Sequence, residues 1–400
     1  MGWEVKRLGE VCEIVNGGTP DTKVIEYWDG KHLWITPKDM GRLDNLFVDK
    51  TERTITDSGL QNSSAKLLPV NSIILSSRAP IGYLAINKKP ISTNQGCKGI
   101  VPKKSLDYLF LYYFLKSSIE LLNSLGSGTT FKELSGSKLA EVQIPIPPLS
   151  EQKRIVAILD KAFESISKAK ENTEQNLKNA KEVFESYLQA VFEKKGDGWE
   201  ENKLGTIADF EYGYTDKSND KGEFRYIRIT DIDDGGNLTI SNKVYVDSSN
   251  DSKQFIVQNN DLLMARTGAT FAKVLLYKGN EPSIFASYLI RIKFNGKIDH
   301  KLYWYFSKSK NYWDQANSLV SGSAQPHFNG NALAEIDFTY PVSIKEQKSL
   351  ISKFDTLSAQ TKSLEAVYEK KLESLEELKK SILQKAFSGE LDNPRIMVKA

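Results

Sequence analysis

Residue types with the spacing needed for chemistry are scarce in this 400-residue chain. Its three histidines (His32, His300, His327) and two cysteines (Cys12, Cys97) are scattered, and none has the close spacing of a zinc site. No Gly-x-x-x-x-Gly-Lys-Ser/Thr run offers a phosphate loop. Gly126-Ser-Gly128 is a lone Gly-x-Gly in a polar turn. A methyltransferase loop that holds a flipped base would read Asn/Asp/Ser-Pro-Pro-Tyr/Phe, and the only Pro-Pro, in Ile146-Pro-Pro-Leu149, has the wrong flanks. Nuclease-like Glu-x-Lys occurs seven times, as chance allows in a chain rich in both residues. The sequence therefore predicts binding without catalysis, no metal and no cofactor of its own. What remains are Arg, Lys, Asn, Gln, Ser and Thr side chains, which bind through hydrogen bonds rather than react.

Two long helices must position such side chains. The first begins at Ile144-Pro-Ile-Pro-Pro-Leu-Ser-Glu-Gln-Lys153, where prolines close the preceding stretch and Ser150 can cap the first turn. No Pro or Gly follows until Gly196. Apolar or small residues then recur near every 3.5 positions: Ile155, Leu159, Ala162, Ile166, Ala169, then Leu177, Ala180, Phe184, Leu188 and Val191, with the seam weakening at Thr173. A second copy opens at Glu346-Gln-Lys348 and continues through Phe354, Leu357, Thr361, Leu364, Tyr368, Leu372, Leu375, Leu378 and Ile382. That spacing marks a coiled coil. The partner-binding and coiled-coil seam is expected at Leu159, Ile166, Leu177, Leu188, Leu357, Leu364, Leu375 and Ile382.

The globular stretches before the helices are also duplicated. Trp3-Glu-Val-Lys-Arg-Leu-Gly-Glu-Val11 matches Trp199-Glu-Glu-Asn-Lys-Leu-Gly-Thr-Ile207. Asn123-Ser-Leu-Gly-Ser-Gly128 matches Asn317-Ser-Leu-Val-Ser-Gly322, and Leu139-Ala-Glu141 matches Leu333-Ala-Glu335. A near-constant offset over this distance is the signature of one internal repeat. Both copies hold an Ile-rich strand with a polar exit, a buried strand followed by arginine (Arg78, Arg266), and an aromatic helix whose rings belong to the core. The segments are 1–148 (first head), 149–195 (first helix), 196–342 (second head), 343–388 (second helix) and 389–400 (tail). The fold class is α+β, with two strand-dominated heads, a long antiparallel two-helix coiled coil and pseudo-two-fold duplication.

Composition adds limits. Net charge is +3, divided as +3, +1, −3 and +2 over residues 1–148, 149–195, 196–342 and 343–400. DNA binding by the second head must then rest on local patches. No apolar run nears 18 residues, and the N-terminus lacks the hydrophobic core of a signal peptide, so a cytoplasmic protein without a membrane partner is expected.

Val15-Asn-Gly-Gly-Thr-Pro20, Trp34-Ile-Thr-Pro37, Asn94-Gln-Gly96, Ser127-Gly-Thr-Thr130 and Ile144-Pro-Ile-Pro-Pro-Leu-Ser-Glu-Gln152, in that order, resemble the specificity subunit of type I restriction–modification enzymes. The likeness extends over essentially the whole chain. The second copy departs from it, with Tyr212-Gly-Tyr-Thr-Asp216 in place of the Gly-Gly-Thr-Pro run. The resemblance implies that each head is a target-recognition domain for half of a split duplex DNA site. It implies that the helices set the spacing and dock modification subunits, two of them, and that restriction subunits join the complex. S-adenosylmethionine, ATP and Mg would sit on those partners. The candidate readers are Lys38, Arg78, Asn94, Gln95, Lys98, Thr129, Thr130 and Lys132 in the first head, and Arg228, Thr230, Arg266, Thr267, Ser323, Gln325 and His327 in the second. Arg78 and Arg266 stand out, since each follows an apolar strand and precedes a Pro- or Gly-containing loop. A coiled-coil scaffold whose heads bind protein or another non-DNA ligand is the rival reading, favoured by the balanced charge.

Overall fold

The structure, a computed structural model, describes residues 3–128, 132–194, 196–247, 251–320 and 327–391. It forms two compact units, Met1–Thr173 with Lys371–Ala400, and Glu174–Lys370. Each unit holds one head and part of both long helices, and both repeat one plan.

In the first unit, a five-stranded sheet runs Cys12–Asn16, Cys97–Pro102, Ile73–Ser77, Ile81–Asn87, Phe47–Val48. The central strand Ile73–Ser77 is buried at every position, as a continuous apolar run requires. A three-stranded sheet adds Arg53–Ile55, Trp28–Ile35 and Ile91–Thr93, and Glu4–Arg7 pairs with Gln143–Ile146. The second unit has four strands in the order Ala208–Tyr212, Leu289–Phe294, Leu262–Ala265, Val274–Leu276. Its smaller sheet is Tyr245–Val246, Phe224–Ile227, Ser283–Phe285, and Trp199–Lys203 pairs with Asp337–Pro341. In both units the matching hairpin of distant strands brings the start of the head to the root of the helix that follows it.

The long helices are Leu149–Glu193 and Ile344–Ser388, each of 45 residues, or about 67 Å at 1.5 Å per residue. Within the first unit they run antiparallel: Ile155 and Leu159 share a core with Leu383 and Ala386, while further along Lys170 Nζ lies 2.8 Å from Glu376 Oε1. Within the second unit Tyr187 and Phe192 meet Phe354. The seam differs in part from its sequence expectation. Ile166 is buried; Leu177, Leu357, Leu375 and Ile382 are half-buried. Leu159 and Leu188 are buried inside the head cores. Leu364 is 46% exposed and lies off the buried stripe. Thr173 and Thr361, where the apolar pattern lapses, are nonetheless buried, each hydroxyl donating to a carbonyl of its own helix (Ala169 and Ser358). Returning the hydroxyl to the backbone removes the penalty of burying it.

The roots of both helices are fixed identically. Gln152, fully buried, accepts from the Asp107 amide at 2.8 Å and donates to the carbonyls of Ser105 (3.0 Å) and Pro147 (2.8 Å). Gln347 does the same with Asp299 (2.8 Å), Lys297 (3.1 Å) and Pro341 (2.9 Å). Asp107 and Asp299 cap the aromatic helices Tyr108–Ser117 and His300–Phe306, whose rings are core as expected. Two turns further, Asp160 accepts from the Tyr113 hydroxyl and Asp355 from the Tyr305 hydroxyl.

Gln152→Leu or Gln347→Leu should strip partners from three backbone groups at once. At about 1–3 kcal/mol for each buried group left unpaired, a loss of at least about 2 kcal/mol is expected in urea denaturation, together with faster amide exchange at Asp107 or Asp299. Unchanged stability and protection would refute the lock. A second expectation concerns Lys308, whose Nζ lies 3.2 Å from the Trp304 ring centroid. Burial, helped by Lys362, Lys278 and Lys301 and opposed by Asp233, lowers its pKa to about 7. The native state thus sheds this proton near pH 7, while the unfolded chain keeps it to about 10.5. The unfolded state binds more protons between those values, so stability rises with pH across that window. Lys308→Met should flatten the rise, read as melting temperature against pH for the two proteins.

Candidate nucleic-acid interface

The two large sheets share a backbone frame at one end. In the first head Ser76 pairs with Cys97, the Ser77 amide donates to Gly96 O (2.8 Å), and the Leu134 amide donates to Ser77 O (2.9 Å). In the second head Ala265 pairs with Leu289, Arg266 N donates to Tyr288 O (3.0 Å), and Phe328 N donates to Arg266 O (2.8 Å). The next residue closes a bridge in each: Arg78 with Glu133, and Thr267 with His327. Ser77 therefore corresponds to Arg266, and Arg78 to Thr267. The two arginines, similar in sequence context, occupy positions one residue apart. Side chains alternate along a strand, so the arginines do not make equivalent use of the frame.

Two glycines permit it. The amide of Gly17 donates to Cys97 O, and that of Gly213 to Leu289 O. A Cβ on Gly17 would fall 1.8 Å from Asn94 O, and one on Gly213 2.3 Å from Ala286 O. Neither tolerates a side chain. The Gly-Gly-Thr-Pro run of the first head and Tyr-Gly-Tyr of the second thus share a glycine at this corner of the frame, and in the first head Gly18 is confined as well, its Cβ falling 2.3 Å from Ala65 N.

The first head places several candidates near each other. Arg78 Nη1 lies 3.6 Å and Lys98 Nζ 3.7 Å from the two oxygens of Glu133. Lys98 is buried, and with Glu133, Asn16, Ser127 and Ser135 it borders an open cleft of about 950 Å³. Asn94 and Gln95 hold loops together. Asn94 Oδ1 accepts from the Gly96 amide at 3.0 Å, and Gln95 accepts from the Thr19 hydroxyl. Lys38 and Lys132 are exposed. Thr129 and Thr130 lie outside the described residues.

The second head treats its candidates differently. Arg228 forms an ion pair with buried Asp231 at 3.1 Å and donates to Asn242 O at 3.0 Å, a structural commitment. Thr267 is buried, whereas Thr230 and His327 are exposed. Ser323 and Gln325 lie outside the described residues. Arg266 has no carboxylate partner among the described residues; its guanidinium carbon sits 5.2 Å from the Tyr212 ring centroid and 5.6 Å from that of Tyr288. Glu133, Tyr212 and Tyr288 escaped the sequence reading. Only the strand register, which places Tyr212 opposite Ile290 and Tyr288 beside Arg266, could have found the tyrosines.

Some carboxylates of the second head are engaged internally. Buried Arg291 binds Glu211 (2.6 Å) and Asp261 (3.1 Å). Burial raises the pKa of Glu211, but hydrogen bonds from Lys293 and Arg291 outweigh it and hold the carboxyl below its usual range. Among the described residues, no group of three His, Cys, Asp or Glu side chains could hold a metal ion, and no helix is long and apolar enough to cross a membrane.

The family model for the type I restriction modification DNA specificity domain matches residues 1–179 and again 196–374. The MjaIX specificity subunit of Methanocaldococcus jannaschii is 37% identical over 227 residues, which cover 53% of this chain and about half (52%) of that protein. The StySPI specificity subunit of Salmonella potsdam is 24% identical over 98% of this chain and 89% of its own length. In fold, a chain from a structure of complex assembly and conformational transition in the type I R-M system aligns over 98% of both chains, with a TM-score of 0.77 at 18% identity. Two matches to one family model, laid over two heads built on one backbone frame, leave one conclusion: the chain belongs to the type I restriction–modification DNA specificity family.

Proposed function

We propose that this chain selects the bipartite DNA site of a type I restriction–modification complex, each head reading one half-site. The observation that carries this reading is the double family match, with residues 1–179 and 196–374 each spanning a complete head. The common backbone frame with unlike side chains supports it, since a split target with different halves needs one scaffold and two chemistries. The long helices set the distance between half-sites and dock modification subunits, two by the repeat. S-adenosylmethionine, ATP and Mg chemistry belongs to those and to the restriction subunits, in the cytoplasm where the DNA lies. The scaffold alternative draws no support from the family match.

Arg78→Ala and Arg266→Ala should each relax one half-site and spare the other. A lost arginine–guanine contact removes about 1–3 kcal/mol of discrimination. The readout is the methylated motif of the assembled enzyme, and two unchanged motifs would sink the assignment of these readers.

The spacing role is tested by length. The boundary between compact units falls at 173/174 in the first helix and 370/371 in the second. One heptad inserted at both points preserves apolar phase and adds about 10.5 Å of helix. At about 3.4 Å per base pair, the accepted spacer should lengthen by up to roughly three base pairs. An active double-insertion enzyme that retains the original spacer would end the idea.

A further inference from the structure

We infer that Tyr212 and Tyr288 hold Arg266 as a guanine-reading side chain on the second head; this rests on the reading of that head as a DNA half-site reader. Three neighbouring strand ends create the cluster. Tyr212 ends its strand, Tyr288 immediately precedes the adjacent one, and Arg266 immediately follows the third. The two tyrosines are 42% and 55% exposed as residues, and both rings lie within cation–π range of one guanidinium. Exposed rings clustered around a single cation do not serve a core.

The arginine is fixed but its fork is not consumed. The guanidinium's only protein hydrogen bond among the described residues is a long one, Nη1 to Ser287 O at 3.5 Å. Tyr212 is itself anchored, its hydroxyl accepting from the Gly330 amide at 2.9 Å. A Cβ on Gly330 would lie 3.0 Å from that hydroxyl, so the ring fits against a glycine. A guanidinium offers five donors in a rigid plane. Restricting its rotamers before binding reduces the ordering cost of a bidentate contact to guanine O6 and N7. Tyr288 and Tyr212 are thus positioning residues, and Arg266 is the reader. The corresponding positions in the first head are Asn16, Ser77 and Gly96. They cannot build this cluster, so the property belongs to the second half-site alone.

The test uses the full chain assembled with its modification subunits, methylating a library of randomised duplexes. Arg266→Ala should relax a guanine requirement at one position of one half-site by roughly 5- to 150-fold. Tyr288→Ser should relax the same position by roughly 2- to 30-fold, and Tyr288→Phe should preserve it, because the ring is retained. If the tyrosine acts through the arginine, Arg266→Ala with Tyr288→Ser should be no worse than Arg266→Ala alone. The inference is overturned if Tyr288→Ser keeps the wild-type preference, if Tyr288→Phe fails as Tyr288→Ser does, or if Tyr288→Ser slows methylation equally on every sequence. A wild-type assembly with no sequence preference would instead bring down the DNA reading beneath it.

Discussion

Each long helix is held to its head by a glutamine side chain in its first turn. Gln152 and Gln347 each join three segments that are far apart in sequence: the proline-bearing strand exit, the cap of the aromatic helix, and the helix root. Burying an amide side chain is tolerable only when all its hydrogen-bonding capacity is met in place. That makes the geometry nearly all-or-none. Once the glutamine is satisfied, the helix direction relative to the strand exit is set, and the aromatic helix can offer its rings to the core below. The carboxylates of Asp160 and Asp355, two turns further, fix the rotation of the helix by engaging tyrosines of the same aromatic helices. A protein whose heads must keep a defined direction on long helices needs such a joint, since a loop of Gly and Ser would not transmit orientation.

Above that joint, the heads share a skeleton and differ in function-bearing surface. Close approach of Gly17 and Gly213 to the neighbouring backbone shapes the sheet end in both. On that shared frame the first head carries Asn16, Ser77, Arg78, Gly96 and Glu133, and the second Tyr212, Arg266, Thr267, Tyr288 and His327. The first surface is an arginine balanced by a carboxylate; the second is an arginine bracketed by rings. Specificity is a difference between affinities, shaped by what a site rejects as well as what it accepts. If the heads read base edges as proposed, a carboxylate beside the first arginine repels those that present acceptors, and the ring-bracketed arginine applies no such filter. The two heads can therefore discriminate differently without any change of fold.

Much of this was legible in the sequence, and the failures are specific. The long helices were visible because a 3.5-residue period, proline before and glycine after leave few alternatives, and the duplication because short identical runs recur at near-constant offset. The Glu-Gln-Lys triplet was seen as a repeat marker, but not as a lock, since nothing local tells whether a glutamine in a first helical turn faces inward. Arg78 and Arg266 looked equivalent because both follow an apolar strand. The strands differ by one residue in where pairing ends, and register is set by partners distant in sequence. Leu364 illustrates the same limit in a helix, where a regular repeat continued on paper after the buried stripe had moved off it. Asn94, Gln95, Lys98 and Arg228 have the chemistry of base readers, and the fold also gives each of them a partner within the chain that the sequence did not reveal.

Charge presents the remaining difficulty, since the second head carries a net −3 and DNA is a polyanion. The sum misleads because charges act through their positions. Asp231, Glu211 and Asp261 each face an arginine within the head, and Asp234 and Glu281 are paired with Lys273 and Lys243. Exposed charges farther than about 8 Å from a phosphate are largely screened at physiological salt. On the proposed reading, what DNA would meet is the local surface around Arg266, which holds no carboxylate partner among the described residues. The same fact limits affinity. Non-specific attraction grows with the number of phosphates neutralised, and a head with so many of its cations engaged neutralises few. Under the proposed function, such a head is suited to discriminate between sequences once it is brought to the duplex, and poorly suited to seize DNA by itself.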